Sequence, residues 1–145
     1  MHLPLNPVLK RGAIFIWHKY EKLDDPALAG QTKAKFAVIL SGSSLDDPLI
    51  FLLTTSEKPK HLQAKFPEDL FNVAAGTYNF FQQNTIIDVS AAGELDVDRD
   101  AFETLYDDGE VAYKGALSEA DVEKLVHKIV ACPRVNRKFK RLLTG

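Results

Sequence analysis

Lys33-Ala34-Lys35-Phe36-Ala37-Val38-Ile39-Leu40-Ser41 and Leu49-Ile50-Phe51-Leu52-Leu53-Thr54-Thr55-Ser56 decide the fold of this chain. Each is an aliphatic and β-branched run free of Gly and Pro, the pattern of a buried strand. Ser41-Gly42-Ser43-Ser44-Leu45-Asp46-Asp47-Pro48 lies between them and is dense in turn formers. The two runs are therefore expected to pair as antiparallel neighbours. Their shared end then brings Lys33 and Lys35 to the hydroxyls of Thr54, Thr55 and Ser56. Cations and hydroxyl donors stabilise charge on phosphoryl oxygens, so this end is a candidate site for a phosphodiester. Two ordinary strands with solvated ends would carry the same residues, and composition does not separate the readings.

Outward from this pair, Ala13-Ile14-Phe15-Ile16-Trp17-His18 reads as a preceding strand, with Gly12 letting the backbone bend into it. Lys19 to Thr32 has no periodicity and holds Asp25-Pro26 and Gly30, so a long loop is expected. Glu57 to Lys65 is polar. Leu70–Val73, Thr77–Phe81, Thr85–Val89 and Val111–Tyr113 are short runs of strand character, and Asp98–Tyr106 suits a short helix with Phe102 and Leu105 inward. The clearest helix follows Ser118, an N-cap with Asp121 three residues on in the manner of a capping box. Val122, Leu125, Val126, Ile129 and Val130 recur at one-face spacing until Pro133, and Val135, Phe139, Leu142 and Leu143 continue an apolar stripe through a basic segment. Short strands with one strong helix predict a mainly β fold: a small barrel with a C-terminal helix, in a single domain over residues 1–145.

The composition fits an ordinary globular chain, 46% apolar and 26% charged in 145 residues, so a core needs no metal or staple. Cys132 is the lone cysteine, which excludes an internal disulfide and a thiolate zinc site and points to a reducing, cytoplasmic setting. Ala13–Trp17 is too short for a signal core, and no run has the length of a membrane span. The net charge of −2 argues against indiscriminate nucleic-acid binding. Its distribution is uneven. Seven basic residues and no acid occupy 124–145, whereas residues 88–123 are strongly acidic.

Most catalytic signatures are missing: no Walker loop, no Gly-x-Gly-x-x-Gly, no His-Glu-x-x-His and no Gly-x-Ser-x-Gly. His2, His18, His61 and His127 are scattered without metal spacing, and His18, at the end of a strand, is the one kept as a candidate. Cys132 sits at a helix C-terminus, where the dipole disfavours a thiolate, so inert packing is expected.

Four blocks nevertheless resemble the MazF/PemK family of bacterial toxins, ribonucleases of type II toxin–antitoxin systems. Lys10-Arg11-Gly12-Ala13-Ile14-Phe15-Ile16-Trp17 is similar to the family's opening strand, and Lys35-Phe36-Ala37-Val38-Ile39-Leu40-Ser41 to its Arg-Pro-Ala-Val-Val-Leu-Ser strand. Leu53-Thr54-Thr55-Ser56 stands at its Thr-containing strand end, and Lys114-Gly115-Ala116-Leu117-Ser118 at the Gly-x-Leu-Ser step into its last helix. Gln82-Gln83-Asn84-Thr85-Ile86-Ile87-Asp88 is a weaker fifth block. The resemblance implies an SH3-like barrel of about five to seven antiparallel strands, a homodimer, an antitoxin partner, and cleavage of single-stranded RNA without metal or other cofactor. It implies Lys35 and Thr54 as catalytic residues, with Thr55, Ser56 and Gln83 adding hydrogen bonds to the substrate; Lys33 and His18 join the substrate side as candidates on their strand-end positions alone. The RNA's 2′-hydroxyl would attack the adjacent phosphorus while Lys35 neutralises the oxyanion and Thr54 holds or orients an oxygen.

Departures from the family pattern are specific. Lys35 replaces an Arg and offers a point charge instead of a planar fork. Phe36 replaces the following Pro, Thr85 an Arg, and the 96–108 stretch is longer and more acidic than the family's. They keep a second class open, a barrel that binds protein or RNA without cutting it. A third class, the gyrase poisons of the same superfamily, works through the tip of the last helix. Here that tip is Lys140-Arg141-Leu142-Leu143-Thr144-Gly145, basic and without the aromatic end.

Overall fold

Ala37, Val38, Ile39 and Leu40 are each at most 1% exposed, and the reason is that their sheet is covered on both faces. Side chains alternate along a strand, so a continuous apolar run signals burial on two sides. The computed structural model describes residues 4–21, 32–42, 46, 48–56 and 65–144. In chain order they form α1 (Leu5–Val8), β1 (Ala13–Glu21), β2 (Thr32–Ile39), β3 (Leu49–Ser56), β4 (Leu70–Val73), β5 (Thr85–Asp88), β6 (Asp96–Val97), α2 (Arg99–Asp107), β7 (Val111–Ala116), α3 (Glu119–Ala131) and α4 (Arg137–Thr144).

The architecture is a mainly β, seven-stranded antiparallel sheet with helices. Six strands run in the order β4-β5-β3-β2-β1-β7, and β6 pairs with the start of β3. Register sorts the apolar residues into two cores. Ile14, Val38 and Leu52 lie abreast across β1, β2 and β3, and with Leu40 and Ile87 they pack under Leu125 and Ile129 of α3 and Phe139 and Leu143 of α4. Phe15, Ala37, Ile39 and Phe51 take the other face against Phe102 and Tyr106 of α2 and Leu5 of α1.

Two covered faces correct the expectation of a closed barrel around one interior. Among the described residues no ladder joins β4 to β7, so the sheet stays open. The acidic stretch supplies the physical reason for the second core. Asp98 caps α2, accepting from the backbone N–H groups of Asp100 and Ala101 at 2.8 and 3.0 Å, and the helix turns Phe102 and Tyr106 inward while its acids stay in solvent. The Thr77–Phe81 run is likewise a series of turns and not a strand.

The remaining elements depart from expectation mainly at their ends. β1 continues to Glu21, beyond His18, with a register shift between Trp17 and Tyr20. Residues 22–31, most of the expected loop, lie outside the described residues, as do 43–45, 47, His2 and the 57–64 stretch with His61. The apolar stripe of the C-terminal segments, expected to pack in a core or an interface, leaves two positions outside the core, Val130 and Leu142. Both are exposed, Leu142 at 65%. No helix among the described residues is long and apolar enough to cross a membrane.

The α3 N-terminus is built almost as the sequence suggested. Ser118 Oγ accepts from the Asp121 N–H at 3.2 Å. The return half of the capping box runs through a third residue: the Tyr78 hydroxyl accepts from the Ser118 N–H at 2.8 Å and donates to Asp121 Oδ2 at 2.5 Å. Ser118→Ala is expected to cost about 1 kcal/mol, a fall in melting temperature of roughly 2–4 °C on thermal unfolding. An unchanged melting temperature would show that Tyr78 alone supplies the cap.

Candidate functional site

Strands β2 and β3 are paired only as far as Ala37 and Leu53. From Thr54 onward β3 pairs instead with β5, Thr54 facing Ile87 and Thr55 facing Ile86. Where the two strands part, a cavity of about 520 Å³ opens. Ala34, Lys35 and Phe36 of β2 line one side and Thr54 and Thr55 of β3 the other, with Ile16 of β1 and Lys114 of β7 completing the sheet side. The 74–84 segment adds Asn79, Phe80, Phe81, Gln82 and Gln83, and Thr85 of β5 closes the ring.

The electrostatics of this wall are one-sided. Among the described residues, Lys35 and Lys114 are the charged groups that line it, and no described carboxylate, imidazole or thiol does. The other polar groups are hydroxyls and amides, which donate to anionic oxygens and also match base edges. Thr54 is 5% exposed and therefore reaches the cavity from the floor, whereas Lys35 and Thr55 are half-buried and Gln83 is exposed on the rim. Phe36 and Phe81 meet edge-to-face at 5.3 Å, and Phe80 and Phe81 at 4.7 Å, so the apolar half is a packed aromatic block.

The candidate residues distribute unevenly over this geometry. Lys35, Thr54, Thr55 and Gln83 come to one cavity. Strand alternation nonetheless assigns Lys35 to the face of Ala37 and Ile39 and Thr54 to the face of Val38 and Leu52. They approach the same space from opposite sides of the parting strands. Lys33 and Ser56 are placed by backbone register, opposite Tyr20 and Thr85. His18 is exposed, its N–H bonded to the Glu110 carbonyl at 3.0 Å, and does not line the cavity.

Four polar contributors escaped sequence reasoning, Lys114, Asn79, Gln82 and Thr85, as did the rings of Phe80 and Phe81. Lys114 was legible only as part of the Gly-x-Leu-Ser block. The signal that finds it is the β1–β7 pairing, Ile16 facing Ala112, which puts Lys114 two residues along the same face as the cavity-lining Ile16.

Among the described residues no group of three His, Cys, Asp or Glu is placed to hold a metal ion. A second polar cluster lies elsewhere. Asp69, 3% exposed, accepts two hydrogen bonds at 2.5 Å from Arg134 and one from the Cys132 thiol at 3.3 Å. The Arg134 hydrogen bonds, more than its charge, hold the Asp69 carboxyl below its ordinary value despite burial. Arg134 in turn lies 3.7 Å over the Phe66 ring. Cys132 is thus packed and bonded, in line with the inert role expected of it. The chain matches no family model, no curated protein and no solved structure.

Proposed function

We propose that the chain is a MazF/PemK-like toxin of a type II toxin–antitoxin system, an endoribonuclease that binds and cuts single-stranded RNA at the cavity between β2 and β3. The observation that carries the reading is the cavity wall: among the described residues it holds two lysines, three threonines, three side-chain amides and three phenylalanines and no acid, in a protein of net charge −2. Phosphate oxygens take the cations and hydroxyls, and unstacked bases take the rings and amides. The sheet is read as an opened relative of the SH3-like barrel, with β3 bending between two sets of partners as its point of likeness.

In the proposed reaction the 2′-hydroxyl gives its proton to water as its oxygen bonds to phosphorus, the P–O5′ bond breaks, and the departing 5′-oxygen takes a proton from water, leaving a 2′,3′-cyclic phosphate and a 5′-hydroxyl. Lys35 sits where charge grows on the non-bridging oxygens, Thr54 donates to one of them, and Lys114 holds a neighbouring phosphate. Family resemblance supplies the rest of the proposal: no metal, a homodimer, a cognate antitoxin, growth inhibition, and a cytoplasmic site of action.

One observation favours a second reading, a non-catalytic module that binds RNA or protein. Among the described residues the wall offers no imidazole or carboxylate to take the 2′-hydroxyl proton. Incubation of the purified chain with a long RNA in chelator, followed by mapping of both ends, separates the two. Cyclic phosphate and 5′-hydroxyl termini support the nuclease. RNA left intact but retained by the protein selects the binding module, and RNA neither cut nor retained removes the RNA reading.

A further inference from the structure

The cavity wall formed by residues 79–83 belongs to a segment with no strand pairing of its own; Phe81 roots it in the core, and one hydroxyl ties it to α3. Tyr78 Oη accepts from the Ser118 N–H at 2.8 Å, lies 3.2 Å from Ser118 Oγ, and donates to Asp121 Oδ2 at 2.5 Å. The donor and both acceptors belong to the N-terminal turn of α3 and its cap, whose buried face is anchored in the core through Leu125 and Ile129. The Tyr78 ring stacks on Phe80 at 5.2 Å and 20°, and Phe80 packs against β7 so tightly that a Cβ on Gly115 would stand 2.7 Å from its Cε1. Within the segment, Gly76 N–H donates to the Phe81 carbonyl at 3.1 Å, Thr77 N–H to Ala74 at 3.1 Å, and Phe81 N–H to Tyr78 at 3.0 Å.

We infer that Tyr78 is the positioning residue of the cavity: its hydroxyl bolts the Asn79–Gln83 wall to the start of α3 and so fixes the ring and amides that select a base. The inference rests on the RNA reading for its ligand, but the bolt itself does not. A hydroxyl that both accepts and donates has no substitute in Phe, which keeps the stacking and loses two charge- or backbone-linked hydrogen bonds. Lys35 and Thr54 stand on β2 and β3, outside the bolted segment. Freeing the wall therefore loosens substrate binding without removing the groups that act on phosphorus.

The test uses Tyr78→Phe in the whole chain. Backbone amides of Gly76, Thr77 and Phe81 are expected to exchange about tenfold faster while those of β1 to β3 keep their rates. A short single-stranded RNA of mixed sequence is expected to bind about tenfold more weakly with a flatter base preference, and any cleavage rate at saturating RNA to stay within about twofold. Asp121→Asn retains an acceptor for Tyr78 and is expected to keep wild-type exchange and affinity, whereas Asp121→Ala removes one of the two bonds and is expected to shift both in the direction of Tyr78→Phe by a smaller amount. Wild-type exchange in both Tyr78→Phe and Asp121→Ala overturns the bolt. Faster exchange with unaltered RNA affinity and base preference overturns its role in selection. A wild-type chain that binds no RNA defeats the ligand reading alone, and the exchange result then stands or falls by itself.

Discussion

Lys35→Ala is expected to lower RNA cleavage about 10²–10³-fold, the usual effect of removing one group that stabilises transition-state charge. Growth arrest on expression should disappear with it. The fold should survive, because Lys35 is half-buried at the end of the β2–β3 ladder and belongs to neither core. Lys114→Ala is the informative companion. A lysine that only holds a phosphate contributes uniformly to binding, so this variant should weaken RNA affinity and reduce the salt dependence of log Kd by about one unit while leaving the rate at saturation alone. The split between the two lysines is the content of the prediction. Single-turnover cleavage at saturating RNA, with a salt titration of binding, measures it. If Lys35→Ala cuts RNA at the wild-type rate, Lys35 has no place in the chemistry. If both variants change affinity only, the wall is a binding surface.

The strand run at 36–41 made the sheet legible because five consecutive apolar residues, Val38 and Ile39 among them β-branched, stop at a cluster of turn formers and are too few for a helix. The same run also held the clue that the barrel expectation passed over: alternating burial would have left every second position polar. Instead Ala37 and Ile39 needed a cover of their own, which Phe102 and Tyr106 supply from the acidic helix. Helix α3 was readable from Ser118 and the 122, 125, 126, 129 spacing, since a cap and a face are local properties. Tyr78 was not readable. Its role depends on a hydroxyl crossing forty residues of chain to a cap, and nothing near Tyr78 in the sequence marks it. Lys35 and Thr54 met the same limit from the other side. Pairing the two strands was a sound inference, but which face each residue takes depends on register, and register depends on the turn between them. The cavity lies where the β2–β3 pairing stops at Leu53 while β3 continues to Ser56 along β5, and that end point is set by tertiary pairing and not by local sequence.

Removal of the Arg134 guanidinium is expected to have the largest effect on stability. Asp69 is buried, and its carboxylate is satisfied by the two Arg134 hydrogen bonds and the Cys132 thiol. Arg134→Ala leaves that charge with the thiol alone and also strips the cation from the Phe66 face. Deleting one partner strands the buried charge of the other, and although the Arg134 side chain is 28% exposed, the fall in melting temperature is expected to exceed that of Ser118→Ala. Arg134→Lys keeps the charge without the planar fork and should recover part of it. The pH dependence fixes the cause. In the native chain the Asp69 pKa lies below its unfolded value, chiefly through the Arg134 hydrogen bonds. Its contribution is therefore complete above the ordinary carboxylate range and is lost as pH falls through the lowered folded value. In Arg134→Ala, burial acts against the carboxylate with little to oppose it, which favours the protonated form and reverses the slope. The stability gap between the two proteins should be widest near neutral pH and should narrow on acidification through the carboxylate range. Urea unfolding across that range follows the gap directly. A difference that stays constant with pH would mean that Arg134 acts by packing on Phe66 and not by pairing with Asp69.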